Sequence, residues 1–194
     1  MKIEIAQGDI TQFAGDAIVN AANVVMLGGG GVDGAIHRKA GAALKHWIVQ
    51  NIPADKNDIR CPTGQARATP GFGLPATYII HTVGPIFHNS SSARHVYHPG
   101  EIVEKATLKD IDPRDLLASA IRESLKLADA NNIKTLAMPA ISCGVFGCPI
   151  VTFAKVLSEI AQEQTWSINT LTVVLYQDDE LMEFQGVWAI VKPD

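Results

Sequence analysis

Cysteine is scarce in this sequence, and long apolar runs and dense basic stretches are missing altogether. The three cysteines, Cys61, Cys143 and Cys148, have no C-x-x-C spacing, so a disulfide framework and a structural zinc site are both disfavoured, and reduced thiols are expected. No apolar run reaches the roughly 18 residues of a membrane span, and the N-terminus alternates like a strand and lacks the layout of a signal peptide. These absences predict a protein of the cytosol with no membrane partner.

The net charge of −4 and the lack of a Lys/Arg stripe argue against binding to long nucleic acids, because such binding depends on neutralising many phosphates. They do not argue against one nucleotide-like ligand, since backbone amides can hold a pyrophosphate without net positive charge. A chain of 194 residues, 47% hydrophobic and 19% charged, suits one globular domain over residues 1–194.

Strand-like and helix-like segments alternate along the chain, which predicts an α/β fold. Strands are predicted over 2–7, 16–20, 76–83, 135–140, 171–176 and 187–191, and helices over 33–50, from Asp112-Pro113, from Pro149 and over 178–185. Residues 86–111 have weak periodicity and are interpreted as a surface insert within the one domain. The insert carries three of the six histidines, His88, His95 and His98, for which we expect solvated positions.

Four consecutive glycines, Gly28 to Gly31, follow a predicted buried strand and precede a predicted helix. Glycines there let the backbone approach a ligand closely and point its amides at an anion; the alternative is a flexible turn. The run is neither a Walker loop, because no Lys-Ser/Thr follows it, nor a G-x-G-x-x-G dinucleotide motif. Nucleoside-triphosphate hydrolysis and Rossmann-type dehydrogenation therefore lose support.

A second glycine-spaced loop, Ser142 to Pro149, also lies between a predicted strand and a predicted helix. Two such loops on neighbouring strand ends would hold the two phosphates of a diphosphate at the carboxyl edge of the sheet. Cys143 lies inside this loop, but no base beside it is evident, so a nucleophilic role has little support.

Asn20, Asn23 and Asp33 form a polar cluster next to the glycine run. A carboxylate in the first helical turn could activate a water, and an asparagine could position that water or a sugar hydroxyl. The alternative is a pair of turn-forming asparagines and a helix-capping aspartate. His37, one helical turn after Asp33, and His81, within an apolar strand, are interpreted as hydrogen-bonded buried histidines.

The sequence resembles the macrodomain family, and within it the MacroD-type branch. The motifs that carry the resemblance run almost the length of the chain outside the insert: Gly8-Asp9-Ile10-Thr11, Ile18 to Asn23, Leu27 to His37, Cys61 to Ala66, Ile80 to Pro85, and Pro139 to Pro149. The resemblance implies a three-layer α/β/α domain with a central mixed β-sheet and an ADP-ribose cleft at its top.

The resemblance also implies roles for particular residues. Asp9 and the Ile10 backbone would bind the adenine, with Tyr176 beside it or, alternatively, in the core. Asn23 and Asp33 match the catalytic pair of the MacroD-type branch. Ala22 would be a further ligand-binding position. Two loops would wrap the diphosphate and the distal ribose, through Gly30, Gly31, Val32, Ser142, Cys143, Gly144, Val145, Phe146 and Gly147.

The activity implied is hydrolysis of mono-ADP-ribose from acidic side chains of modified proteins and deacetylation of O-acetyl-ADP-ribose, by a monomer without metal or cofactor. The alternatives are a non-catalytic ADP-ribose reader and an ADP-ribose-1''-phosphate phosphatase. The chain departs from the family pattern in its insert, in Cys143 where threonine is usual, and in Phe146 where tyrosine is common.

Overall fold

A six-stranded mixed β-sheet forms the centre of the protein. The computed structural model describes residues 1–87, 99–163 and 166–193. The strands are β1 (Lys2–Gln7), β2 (Ala17–Ala21), β3 (Ala66–Pro70), β4 (Tyr78–Thr82), β5 (Thr135–Met138) and β6 (Thr170–Leu175). They lie in the order β1-β6-β5-β2-β4-β3. Every neighbouring pair is parallel except β3 and β4, so five strands end at the same edge.

Helices cover both faces of the sheet and complete three layers. They are α1 (Gly31–Ala40), α2 (Ala42–Asn51), α3 (Pro99–Thr107), α4 (Pro113–Ala130), α5 (Ile150–Gln162) and α6 (Asp178–Val191), with a short 3-10 helix over Ile10–Gln12. Side chains of α1 and α2 pack with Ile18 and Ile79 on one face. Side chains of α4, α5 and α6 pack with Val19 and Ile80 on the other. The predicted α/β/α fold with a mixed sheet is confirmed.

The single helix predicted over 33–50 is wrong, because the chain forms two helices that meet at Gly41. Gly41 ends α1 and begins α2 with φ of 86°, in the left-handed region that favours glycine. Ile36 on α1 and Leu44 and Ile48 on α2 are all buried. The helical spacing of apolar residues therefore extends across the break between the two helices, and it did not indicate that break.

A last strand over 187–191 is also wrong, because α6 continues to Val191. Phe184 and Trp188, four residues apart, stack with ring centroids 5.6 Å apart and are buried on the same helix face. Gly186 lies inside this helix at an open position, with nothing within 4 Å of an added Cβ.

Helix α3, which belongs to the predicted surface insert, packs against the rest of the protein and is not a purely surface segment. Helix α3 buries Glu104, whose carboxylate accepts hydrogen bonds from the Thr63 backbone N–H at 3.1 Å and from the Thr63 hydroxyl at 2.6 Å. Burial raises the pKa of Glu104. The predicted positions of His88, His95 and His98 lie outside the described residues. No helix in the described parts of the chain is long and apolar enough to cross a bilayer.

Candidate functional site at the carboxyl edge of the sheet

The residues predicted to bind a ligand follow successive parallel strands at one edge of the sheet. Asp9 follows β1, Tyr176 follows β6, the loop 142–147 follows β5 and the glycine run follows β2. Because β5 and β2 are hydrogen-bonded neighbours, the two glycine-containing loops leave adjacent strand ends, as the sequence predicted. In α/β sheets this edge is where ligands bind.

The glycine run presents open backbone at the start of α1. Gly30 is the N-cap residue, with no side chain capping the helix, so the first-turn N–H groups are available to an anion. Gly28 and Gly31 have φ of 90° and 54°, which explains why glycine is needed at both. Nothing lies within 4 Å of a Cβ added at Gly30 or Gly31, so a ligand can reach this backbone.

Asp33 lies in the first turn of α1, and only 4% of its surface is exposed. Its Oδ1 accepts a 2.7 Å hydrogen bond from the Asn20 amide, whereas Oδ2 has no hydrogen-bond partner in the described residues. Burial raises the pKa of Asp33 to about 6, because a charged carboxylate is poorly solvated there. One oxygen of this carboxylate is therefore held by a hydrogen bond, and the other is free to bind a water or a ligand.

Asn23 forms the turn that brings the glycine run back towards Asp33. Its Oδ1 accepts hydrogen bonds from the N–H groups of Val25 and Met26, both at 3.1 Å, and its Nδ2 donates to the Gly28 carbonyl at 3.2 Å. The turn-forming interpretation of this asparagine is thus confirmed. The turn also fixes the direction of its amide, which leaves the catalytic interpretation open.

Asn23 and Asp33 converge on Gly29. A Cβ added at Gly29 would lie 3.1 Å from Asp33 Oδ2 and 3.3 Å from Asn23 Nδ2. The free carboxylate oxygen and the asparagine amide therefore face the same small volume above the glycine backbone. A water in that region would meet an acceptor and a donor together.

The two histidines near the cluster are neutral at physiological pH. Burial, and then the charge of Lys45, lower the pKa of His37 to about 4, although its Nε2 lies 3.4 Å from Asp33 Oδ1. Burial lowers the pKa of His81 to about 3. His81 has hydrogen bonds on both ring nitrogens, as predicted. His37 is buried as predicted, but neither ring nitrogen has a hydrogen-bond partner in the described residues.

Backbone hydrogen bonds hold the second loop, both within the loop and from Phe87. The Cys148 N–H donates to the Ser142 carbonyl at 2.9 Å, and the Phe146 carbonyl accepts from the Phe87 N–H at 2.8 Å. A hydrogen bond with Cys148 and burial together raise the pKa of the Cys143 thiol. This thiol is protonated at neutral pH, and the nucleophilic role that the sequence left with little support gains none from the structure.

The predicted adenine end lies at β1 and β6. Asp9 caps the short 3-10 helix, and its Oδ1 accepts from the Thr11 N–H at 2.9 Å. Tyr176 is 74% exposed, so its alternative placement in the core is wrong. The Ala22 N–H already donates to the Thr82 carbonyl at 2.9 Å, so it is not a free donor for a ligand.

The family of the chain follows from a direct comparison with known proteins. The family model described as Macro domain matches residues 19–157, which include the glycine run, the Asp33 cluster and the second loop. The chain belongs to the Macro domain family. Its fold, with a mixed six-stranded sheet between helices, agrees with this membership.

Relatives and solved structures of other macrodomains are similar over most of the chain. This macrodomain is 42% identical over 185 residues to a macro domain-containing protein of Vibrio parahaemolyticus, covering 94% of this chain and 95% of that protein. It is 44% identical over 155 residues to an O-acetyl-ADP-ribose deacetylase of Escherichia fergusonii, covering 80% of this chain and 75% of that protein.

Two macrodomain structures with nucleotides bound share the fold. The Oceanobacillus iheyensis macrodomain with ADP superposes with a TM-score of 0.78 at 34% identity, covering 96% of this chain and 90% of that one. The Trypanosoma brucei macrodomain in complex with ADP-ribose superposes with a TM-score of 0.72 at 30% identity, covering 95% of this chain and 68% of that one.

The sequence did not predict that the insert contributes to the neighbourhood of this macrodomain's site. Helix α3 lines a cavity of about 60 Å³ together with Thr63, Pro85, Leu116 and Phe146. Glu104 also faces this cavity. The weak periodicity of 86–111 hid the helix, because its short amphipathic stretch lies in a segment rich in polar residues.

We expect the replacement of Gly29 by alanine to lower turnover of O-acetyl-ADP-ribose by about 10- to 100-fold and to change the free energy of unfolding by less than about 1 kcal/mol. The methyl group would occupy the volume between Asp33 Oδ2 and Asn23 Nδ2, while the backbone at Gly29 is outside the left-handed region. Steady-state kinetics and urea unfolding measure both effects. Gly186→Ala, with nothing within 4 Å of the added methyl, is the control; equal turnover in the two variants would contradict the assignment of this volume.

Proposed function

We propose that this macrodomain binds ADP-ribose and hydrolyses the ester between its distal ribose and an acyl group. The acyl group is an acidic side chain of a mono-ADP-ribosylated protein or the acetyl group of O-acetyl-ADP-ribose. The ADP and ADP-ribose complexes of similar macrodomains support the ligand. The deacetylase relative supports the class of reaction.

The order of the strands gives the proposed direction of the ligand. The adenine would lie at the β1–β6 end, beside Asp9, Ile10 and Tyr176. The diphosphate would lie between the open amides at the start of α1 and the loop 142–147. The distal ribose would then reach Phe146 and Asp33, on the β5 and β2 side of the edge.

The observation that carries the proposal is the half-anchored carboxylate of Asp33, buried and with a pKa of about 6. A general base works best when its pKa lies near the operating pH. In the proposed step a water held by Asp33 Oδ2 and Asn23 Nδ2 attacks the acyl carbon and passes a proton to Asp33. The bond from the acyl carbon to the ribose oxygen breaks, and that oxygen receives the proton.

A substrate panel tests this proposal. Wild-type protein and Asp33→Asn are incubated in EDTA with three substrates: a protein mono-ADP-ribosylated on Asp/Glu, O-acetyl-ADP-ribose, and ADP-ribose-1''-phosphate. Release of ADP-ribose from the first two, lost in the variant while calorimetry still shows ADP-ribose binding, is the expected result. Tight binding without release would instead indicate a reader, and release of phosphate alone would indicate a phosphatase.

Tyr176→Ala is expected to weaken ADP-ribose binding about tenfold, because stacking of an aromatic ring on a base contributes about 1–3 kcal/mol. The side chain is 74% exposed, so stability should change by less than about 0.5 kcal/mol. Calorimetry with ADP-ribose and with ribose 5-phosphate separates the adenine contribution. Met182→Ala, at a position 73% exposed on α6, is the matched control, and an equal loss of affinity there would contradict the adenine assignment.

A further inference from the structure

A chain of side-chain hydrogen bonds leads from Asp33 across the sheet to the edge strand β3. Asn20 on β2 lies directly opposite His81 on β4 in the parallel register. The Asn20 Nδ2 is 2.7 Å from Asp33 Oδ1 and 3.0 Å from His81 Nδ1. His81 Nε2 is 3.0 Å from the hydroxyl of Thr69, which is 3.1 Å from the Pro70 carbonyl.

The direction of every hydrogen bond in this network is fixed because both of its ends, the Asp33 carboxylate and the Pro70 carbonyl, can only accept. The Asn20 amide has two N–H groups, and it uses one for the Asp33 carboxylate and one for His81 Nδ1. His81 Nδ1 must therefore be an acceptor, so the proton of the neutral ring is on Nε2. Nε2–H donates to the Thr69 hydroxyl, and that hydroxyl donates to the Pro70 carbonyl, which can only accept.

The hydrogen-bond network is buried, and the His81 ring within it is uncharged. Asn20 and His81 have no exposed surface, and Thr69 is 1% exposed. The titratable ring facing His81 is that of His37 on α1, with centroids 6.0 Å apart, and both rings are neutral because burial lowers their pKa values. Water therefore does not compete for these hydrogen bonds.

The tautomer of His81 determines whether the amide nitrogen or the amide oxygen of Asn20 faces Asp33. If the ring proton moved to Nδ1, the Asn20 amide would have to turn its oxygen towards His81, because two donors cannot share a hydrogen bond. Asp33 Oδ1 would then lose its 2.7 Å donor. The carboxylate would be free to rotate, and Oδ2 would no longer be held towards Gly29.

We propose that His81 and Thr69 are positioning residues that hold Asn20, and through it Asp33, in the orientation that leaves Oδ2 to the attacking water. The catalytic consequence rests on the proposed hydrolase function, whereas the structural coupling does not. Neither residue touches the reacting atoms in this scheme. Thr69 acts through three intervening hydrogen bonds.

The test is Thr69→Val, which removes the hydroxyl and nearly preserves the side-chain shape. ¹⁵N shifts of the histidine ring report the tautomer of His81, and ¹³C shifts of the carboxyl report the titration of Asp33. We expect Thr69→Val to move the His81 proton towards Nδ1 and to raise the pKa of Asp33 by about one unit, since its charged form loses a donor. We also expect kcat to fall about tenfold with KM unchanged.

Two further variants separate positioning from general loss of a buried hydroxyl. Thr69→Ser keeps the hydroxyl and should restore the wild-type tautomer, Asp33 titration and kcat. Thr82→Val removes a buried hydroxyl whose single hydrogen is shared between the backbone carbonyls of Gln65 and Ala120, at 2.9 and 3.1 Å, and it should leave the titration of Asp33 unchanged. An unchanged Asp33 titration in Thr69→Val, or an equal change in Thr82→Val, would overturn the proposal. Both NMR measurements are informative even if the protein hydrolyses none of the panel substrates.

Discussion

Replacing Asp33 by asparagine is expected to lower hydrolysis at least about 100-fold and, at the same time, to stabilise the protein at neutral pH. The loss of activity follows from the loss of the proposed base, because general acid–base catalysis contributes about 10²–10⁴-fold. ADP-ribose affinity should remain within about threefold of wild type, since asparagine is isosteric with aspartate and the open amides at the start of α1 are unchanged.

The gain in stability follows from the raised pKa of the carboxyl. Asp33 titrates near pH 3.8 in the unfolded chain and near pH 6 in the folded protein, so the folded state binds this proton more tightly. Its contribution to stability is complete below pH 3.8 and is lost as the pH rises through 6. The ionised carboxylate therefore costs the folded protein about 3 kcal/mol at pH 7.5, and asparagine removes that cost.

Urea unfolding of both proteins at pH 7.5 measures the difference, and Asp16→Asn is a control of opposite sign. Asp16 accepts hydrogen bonds from the backbone N–H groups of Lys134 and Thr135 at 2.7 and 2.9 Å, and these lower its pKa. Its charge stabilises the fold above pH 3.8, so Asp16→Asn should destabilise the protein at pH 7.5. An Asp33→Asn variant less stable than wild type would show that the carboxylate is not strained by burial.

The architecture was predictable from local signals because apolar alternation and helix caps are properties of short segments. Five of the six strands and the adjacency of the two glycine loops were predicted, and the Asp112 cap with Pro113 at the start of α4 is present. Strand β3 was missed because it is a short edge strand that contains Arg67 and ends at Pro70, and edge strands need little apolar alternation.

Both helix errors occur at a glycine, because glycine can either end a helix or lie inside one. Gly41 has positive φ and separates two helices, whereas Gly186 lies inside α6, where Phe184 and Trp188 pack in the core. Tertiary packing overrides the weak helix propensity of glycine at the second position. The sequence alone does not contain that packing.

The supporting residues of the site were beyond local reasoning for a different reason. Asn20 and His81 are 61 residues apart, and each is a polar residue inside an otherwise apolar strand. Their hydrogen bond depends on the register of β2 against β4, which places the two residues side by side. A polar residue in each of two apolar strands was a signal for a buried pair, but the pairing itself required the topology.

Between pH 5.5 and 4.5, acid should destabilise the Asp33→Asn variant more steeply than the wild-type protein, by about 1.4 kcal/mol per pH unit. His37 and His81 titrate near pH 6.5 when unfolded but near pH 4 and pH 3 when folded. Their contribution to stability is present above pH 6.5 and is lost as the pH falls, because the unfolded chain binds two protons that the folded protein does not. In wild type, folded Asp33 binds one proton in the same window, which offsets half of the loss.

His37, His81 and Asp33 should therefore together contribute a fall in the free energy of unfolding of about 1.4 kcal/mol per pH unit in wild type, and the two histidines about 2.7 kcal/mol per pH unit in Asp33→Asn. Other carboxylates and histidines are common to both proteins and cancel in the difference, so the two curves should converge near pH 4. His37→Gln in the Asp33→Asn background removes one of the two protons and should restore the slope of wild type. Parallel curves for wild type and Asp33→Asn would mean that the folded state does not raise the pKa of Asp33, and the carboxylate would then be a poor general base near pH 7.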